Sequence, residues 1–315
     1  MSSIQLGSDG ALRHLLTLEG LARERLTALL DTADAFRESH ERGVKAMPIL
    51  RGRTLVGLFF EPSTRTRVSF EIAARKLSAD VVHFDIAQSS TRKGESVHDT
   101  LATLAALGCD LFVVRHQTAG TAAHLAERLP EGCALINAGD GEHAHPTQGL
   151  LDALTIRQRK GGFAGLKVAI VGDIRHSRVA RSDVHALLAL GVEEIRLCGP
   201  PQLLPEVAPA GCRVEPSADR AVAGADVVIA LRLQKERMEA GLVPSEDEYF
   251  RDFGIDARRL ALAAPDAILM HPGPINRGVE IASEVADGPQ SVILEQVRNG
   301  VFVRMAVMAH LAGAR

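Results

Sequence analysis

Short runs of aliphatic and β-branched residues alternate with stretches of helical spacing along most of the chain. The apolar runs predict strands over 54–60, 80–85, 111–116 and 134–138, then a second series over 167–173, 194–200, 212–217, 226–233 and 267–272. Helical patterns fall between them, at 67–78, 97–107, 148–160 and 177–190. Ahead of the first strand, residues 17–39 place Leu26, Leu29, Leu30 and Ala33 on one helical face, which reads as packing rather than chemistry. Strands alternating with helices imply βαβ units. Strands that are apolar throughout, instead of every second residue, fit parallel sheets covered on both faces. The expected fold class is therefore α/β, with two domains, each a parallel sheet flanked by helices.

The Gly-rich break Lys160-Gly-Gly-Phe-Ala-Gly-Leu separates the two series, and 315 residues at roughly 150 per domain fit two cores. The boundary is expected near residue 150, with a first domain over 1–150 and a second over 151–290. Leu294, Val297, Val301, Met305, Met308 and Ala312 keep helical spacing, so a helix over about 291–315 is expected to pack back on the first domain.

Composition narrows the function. At 46% hydrophobic and 24% charged, the chain is neither disordered, collagen-like nor coiled-coil. A net charge of −3 provides no general basic field for nucleic acid or an anionic membrane, so any anion must be held by local arginines. With 3% aromatics, no Trp and the single Tyr249, base-stacking surfaces are not expected. Cys109, Cys133, Cys198 and Cys212 show no C-x-x-C spacing and lie in or beside apolar stretches, so buried thiols are expected rather than a disulfide framework or zinc site. The start lacks a basic region followed by an apolar one, and no apolar run reaches 18 residues. Cytoplasmic residence is the expectation.

The densest chemistry is Phe59-Phe-Glu-Pro-Ser-Thr-Arg-Thr-Arg-Val-Ser-Phe-Glu71, where an apolar strand gives way to a helix. Ser63, Thr64 and Thr66 supply hydroxyls, the helix start supplies unpaired amides and a positive dipole end, and Arg65 supplies two parallel donors. Alone, a Ser or Thr here would simply cap the helix. Two arginines directly behind a strand favour a phosphate instead. G-x-x-x-x-G-K-[ST] is absent, so no nucleoside triphosphate is implied.

Ser63-Thr-Arg-Thr-Arg67 after a strand resembles the carbamoyl-phosphate signature of the aspartate/ornithine carbamoyltransferase family. Further stretches extend the resemblance in family order over nearly the whole chain. Arg115 closes Val113-Val-Arg-His116; taken alone, it reads equally as a surface ion pair. His145-Pro-Thr-Gln148 opens a helix, with His145 and Gln148 on one face. His143 and His145 beside Glu142 lack a convincing metal-ligand set, so no metal is expected. Val168-Ala-Ile-Val-Gly-Asp173 is half a dinucleotide fingerprint without its remaining glycines, so neither NAD nor any other cofactor is expected. Arg178 and Leu231-Arg-Leu-Gln-Lys-Glu-Arg237 match positions for the second substrate, the latter in the form of the aspartate branch; alone, it reads as a charged helix start. Met270-His-Pro-Gly-Pro-Ile-Asn-Arg-Gly-Val279 follows a strand with Gly273 between two prolines, and the Gly273–Pro274 bond is expected to be cis. Aspartate members typically carry Leu in place of Gly273, and ornithine members a cysteine-containing H-C-L-P, which this chain lacks.

The resemblance implies a carbamoyl-phosphate-binding first domain and an aspartate-binding second domain that close on their substrates. It implies carbamoyl transfer to L-aspartate early in pyrimidine synthesis, with ornithine as the alternative acceptor and an inactive scaffold for dihydroorotase as the other alternative. Arg65, Thr66, Arg115 and His145 are the implied catalytic residues. Ser63, Thr64, Gln148, Gly273 and Pro274 join them around carbamoyl phosphate, and Lys93, Arg178, Arg232 and Gln234 hold aspartate. Residues 89–96 read alone as a solvent loop; in the family such a loop enters the neighbouring subunit's site, here with Ser89 and Lys93. A homotrimer with shared sites follows, with dihydroorotase or regulatory chains as possible further partners.

Overall fold

The computed structural model describes residues 2–84, 96–233 and 245–313. Ser89, Lys93 and Gln234 lie outside the described residues. The chain forms two compact units, one of residues 1–151 with 298–315, the other of residues 152–297.

The first unit contains α1 (Ser2–Gln5), α2 (Arg23–Glu41), β1 (Thr54–Phe59), α3 (Thr64–Lys76), β2 (Asp80–His83), α4 (Val97–Ala106), β3 (Leu111–His116), α5 (Thr121–Ala126), β4 (Ala134–Asp140) and the start of α6 (Pro146–Lys160). Its strands form one parallel sheet in the order β2-β1-β3-β4. Val56, Leu58, Phe112 and Val114 pack with Leu101 and Leu104 of α4 and Ala122 and Leu125 of α5. Burying each such aliphatic side chain contributes about 1.5–3 kcal/mol, which holds the strand ends in register.

Three expectations need correction. β2 is not covered on both faces: it is an edge strand, mostly exposed, and ends at His83. The first long helix begins at Arg23 rather than residue 17, because Gly20 turns the chain at φ 74°. α3 begins at Thr64, earlier than 67, and ends where Ser78 takes a left-handed φ of 64°.

The second unit follows with the rest of α6, β5 (Lys167–Val171), α7 (Arg178–Leu190), β6 (Glu194–Cys198), β7 (Cys212–Val214), α8 (Ala218–Val222), β8 (Val227–Ala230), α9 (Glu246–Phe253), α10 (Ala257–Leu260), β9 (Ile268–Met270) and α11 (Ser283–Ala286). All its strands are parallel, in the order β7-β6-β5-β8-β9. They stop two to three residues short of the predicted ends; past β8 the apolar character continues beyond the last ladder bond into buried loop, where Leu231 and Leu233 are buried. α12 (Ile293–Gly313) begins in the second unit, and from Arg298 it belongs to the first.

Among the described residues, no helix is long and apolar enough to cross a membrane. Cys109 and Cys198 are buried, but Cys133 and Cys212 are only half-buried, which corrects the reading of all four as core thiols. Burial pushes the Cys198 thiol up to about 12 and that of Cys212 up to about 11, so both stay protonated at neutral pH.

Candidate active site

In the first unit the chain leaves β1 toward β2 on one side, then returns to the other side as β3. The carboxyl ends of β1 and β3 therefore flank a topological switch point, where open α/β sheets bind their ligands. The phosphate-loop candidates lie here. Ser63 is the N-cap of α3 in an extended conformation, and its hydroxyl does not cap the backbone. It donates instead to Thr66 Oγ1 at 2.9 Å, so the two hydroxyls hold each other beside the first-turn amides. Thr64 and Arg65 are exposed and Thr66 is buried. The positive end of α3 is thus presented with oxygen and guanidinium donors around it.

Arg115 lies opposite Phe59 in the β1–β3 register and is buried. It donates to Glu61 Oε1 at 2.5 Å and to the carbonyl of Ala138 at 3.1 Å, contacts that fix its fork between the loop after β1 and the end of β4. The surface ion-pair alternative does not hold, since this pair is largely enclosed. His145 and Gln148 are buried at the start of α6, where Pro146 takes the first helical position and loses no amide bond.

Asp140, absent from the sequence-derived set, shapes the segment before His145. Its carboxylate accepts from the amides of Gly120 (2.9 Å) and Ala144 (3.1 Å), from Asn137 Nδ2 (2.8 Å) and from the His143 ring (3.1 Å). The signal was available: an acidic residue ending the otherwise apolar run of β4 is buried, and a buried carboxylate needs partners. His143, considered above for a metal, is therefore engaged with Asp140, and the described residues contain no group of three or more potential metal ligands.

In the second unit, the order β7-β6-β5-β8-β9 puts the switch point between β5 and β8. Both candidate arginines sit there. Arg178 is the first residue of α7, buried, behind a cap in which Ser177 Oγ accepts from the Ala180 amide at 3.1 Å. Arg232 follows β8 by two residues, just past Leu231, whose amide donates to the Val171 carbonyl at 2.8 Å. Asp173, fully buried, accepts from the amide and ring of His176 at 3.1 and 3.0 Å. Gly172 explains the partial dinucleotide pattern. At φ 140° a Cβ on it would come within 2.9 Å of Leu231, so the glycine serves the close approach of two strand ends rather than a pyrophosphate.

Gly273 and Pro274 also lie on this unit, after β9, whereas the other residues implied for carbamoyl phosphate lie on the first. The Gly273–Pro274 bond is cis, as expected. Gly273 has φ 68°, a region that costs a side-chain-bearing residue roughly 1–2 kcal/mol, so glycine suits this backbone better than leucine would. A buried polar chain backs the turn. His271 Nδ1 accepts from the Gly273 amide (2.8 Å), its Nε2 faces Glu280 Oε1 (3.2 Å), and its own amide donates to Gln296 Oε1 (2.9 Å). Gln296 Nε2 donates to Asp152 Oδ1 at 2.7 Å. Asp183 faces Asp152; burial first, and the Asp152 charge second, push the Asp183 carboxyl well above the usual range.

Each of the two parallel α/β units carries arginine at the switch point of its sheet, the place where ligands of open α/β sheets bind. Comparison with known proteins narrows the reading. The chain belongs to the aspartate/ornithine carbamoyltransferase family: the family's carbamoyl-phosphate-binding domain matches residues 13–158 and its aspartate/ornithine-binding domain residues 164–311. It is thus a carbamoyltransferase.

Among solved structures it is similar to aspartate transcarbamoylase from Trypanosoma cruzi in complex with carbamoyl phosphate, at 32% identity and a TM-score of 0.85 over 95% of this chain and 96% of that one. The same enzyme in complex with N-(phosphonacetyl)-L-aspartic acid matches at 31% identity and a TM-score of 0.83, with 95% of each chain covered. Ornithine carbamoyltransferase from Pyrococcus furiosus matches almost as well, at 29% identity and a TM-score of 0.84 over 96% and 97%. Overall similarity does not choose the acceptor; the local chemistry must.

Proposed function

We propose that this chain is an aspartate carbamoyltransferase, which forms N-carbamoyl-L-aspartate and phosphate for pyrimidine synthesis. The observation that carries the choice is the pair Arg178 and Arg232 at the second unit's switch point. Two guanidinium groups suit the two carboxylates of aspartate, each able to make a bidentate contact. Ornithine would need an acidic group for its distal ammonium. Among the described residues, the carboxylate nearest in sequence after β5 is Asp173, and it is already engaged by the amide and ring of His176. The absence of H-C-L-P at 271–274 points the same way.

In this reading Ser63, Thr64, Arg65 and Thr66 bind the phosphate at the α3 N-terminus, and Arg115, Thr66 and His145 donate to the carbamoyl oxygen. Gln148 and the backbone carbonyls of the turn at Gly273 and Pro274 orient the carbamoyl group. The aspartate amine attacks the carbamoyl carbon: the N–C bond forms, the C–O bond to phosphate breaks, and the departing phosphate takes the amine proton. Donors aimed at the charge that builds on the carbonyl oxygen supply the main stabilisation, and alignment of the two substrates supplies much of the rest. No step calls for a metal or a covalent enzyme intermediate. The functional unit is a homotrimer in which Ser89 and Lys93 complete a neighbour's site, and Gln234 assists with aspartate.

The test is product identification by mass spectrometry after incubating the purified chain with carbamoyl phosphate and either L-aspartate or L-ornithine. Carbamoyl-aspartate is expected. Carbamoyl-ornithine alone overturns the choice of acceptor. No product with either acceptor, from a folded chain, favours the scaffold alternative.

A further inference from the structure

The turn after β9 is the part of the site whose ligand atoms belong to the backbone, so something must hold that backbone. Among the described residues, the groups that do so are buried and polar: His271, Glu280 and Gln296 are each about 2% exposed. Buried polar groups cost free energy unless they are paired, and these are paired with the turn itself. The Gly273 amide donates to His271 Nδ1, the Asn276 amide donates to Glu280 Oε1 at 2.6 Å, and the two side chains meet through Nε2 at 3.2 Å. Gln296 holds the His271 amide from behind.

This pattern assigns the ring's protons. Nδ1 accepts from an amide, so it carries no hydrogen. Nε2 faces a carboxylate, so it carries the hydrogen and donates. We propose that His271 is a positioning residue for carbamoyl transfer: Nδ1 fixes the Gly273 amide and so the direction of the turn's carbonyls, while Glu280 fixes the ring tautomer that makes this possible. The inference rests on the reading that the turn at Gly273 receives the carbamoyl group. It adds a residue that touches neither substrate.

The two ring nitrogens can be separated by substitution. The amide oxygen of Asn in His271→Asn reaches the place of Nδ1 and keeps an acceptor for Gly273, but loses Glu280. His271→Gln reaches the place of Nε2 and keeps a donor for Glu280, but leaves the Gly273 amide without its acceptor. Each loses one buried bond, so thermal midpoints should fall by similar amounts. The kinetics should not. His271→Gln is expected to raise KM for carbamoyl phosphate roughly tenfold or more, as loss of a buried acceptor does, and His271→Asn to stay within about threefold of wild type. The KM for the acceptor should change little in either.

Equal shifts in the two variants, or no shift in either, would overturn the proposal. If the His271 variants do not fold, Glu280→Gln decides. Its carbonyl oxygen can still accept from the ring and from Asn276, so KM for carbamoyl phosphate should stay within about threefold of wild type, and a tenfold rise overturns the assignment. Wild-type assays with both acceptors run alongside. A wild-type chain inactive with aspartate and ornithine overturns both this inference and the functional reading. An active wild type with no Asn/Gln difference overturns this inference alone.

Discussion

In the proposed function, the first unit's crevice draws most of its anion ligands from one contiguous stretch, residues 63–66, with Arg115 added from the neighbouring strand. The second unit's crevice gathers Arg178 and Arg232 from the segments that follow β5 and β8, far apart in sequence. In that reading the difference follows from the anions. A phosphate with several oxygens can be surrounded by one helix start, whose amides, hydroxyls and dipole all point one way. An aspartate's two carboxylates are separated, and separate strands bring separate guanidinium groups. Both crevices nevertheless occupy the same topological position, where successive connections leave a sheet on opposite sides.

The largest expected effect tests the contiguous crevice. Arg65→Ala removes a donor aimed at charge in the transition state, so kcat at saturating substrates should fall by about two orders of magnitude or more. Near-normal turnover would mean that the loop holds no phosphate and that the comparison fails at its first term. A smaller effect falls on the frame of that crevice. Asp140→Ala leaves the Gly120 and Ala144 amides without their carboxylate, and urea unfolding should show a loss on the order of 3 kcal/mol. An unchanged midpoint would show that these bonds are easily replaced.

The smallest effect concerns the frame of the second crevice and depends on pH. The Asp183 carboxyl is raised in the folded state by burial and by Asp152, so its cost is absent below the ordinary aspartate range and grows as pH rises through the interval between unfolded and folded values. Asp183→Asn should therefore raise the thermal midpoint near pH 8 and leave it unchanged at about pH 3. A fall at pH 8 would show that the pair is held by interactions stronger than its repulsion.

Legibility in the sequence followed the same divide. Residues 63–67 were readable because their neighbours in sequence are their neighbours in space. Arg115, Arg178 and Arg232 could be placed at strand ends, but the switch points that single out those ends depend on strand order, which apolar runs do not encode. The end of β8 was overextended because buried loop is as apolar as buried ladder, as Leu231 and Leu233 show. β2 read as interior because its valines do not report that they sit at an edge. His271 and Glu280 were missed for another reason: each acts by holding a backbone amide, and such a role appears only when the partner's position is known, whereas Asp140 is marked in the sequence as an acidic residue closing β4.

The central claim is that the second crevice holds the dicarboxylate and the first holds carbamoyl phosphate. The most direct test is a pair of steady-state constants for Arg232→Ala, the KM for L-aspartate and the KM for carbamoyl phosphate. Loss of a charge-assisted contact of about 1.5–3 kcal/mol predicts an aspartate KM at least roughly tenfold higher, with the carbamoyl phosphate KM within about twofold of wild type. An unchanged aspartate KM, or an equal rise in both constants, would contradict the account.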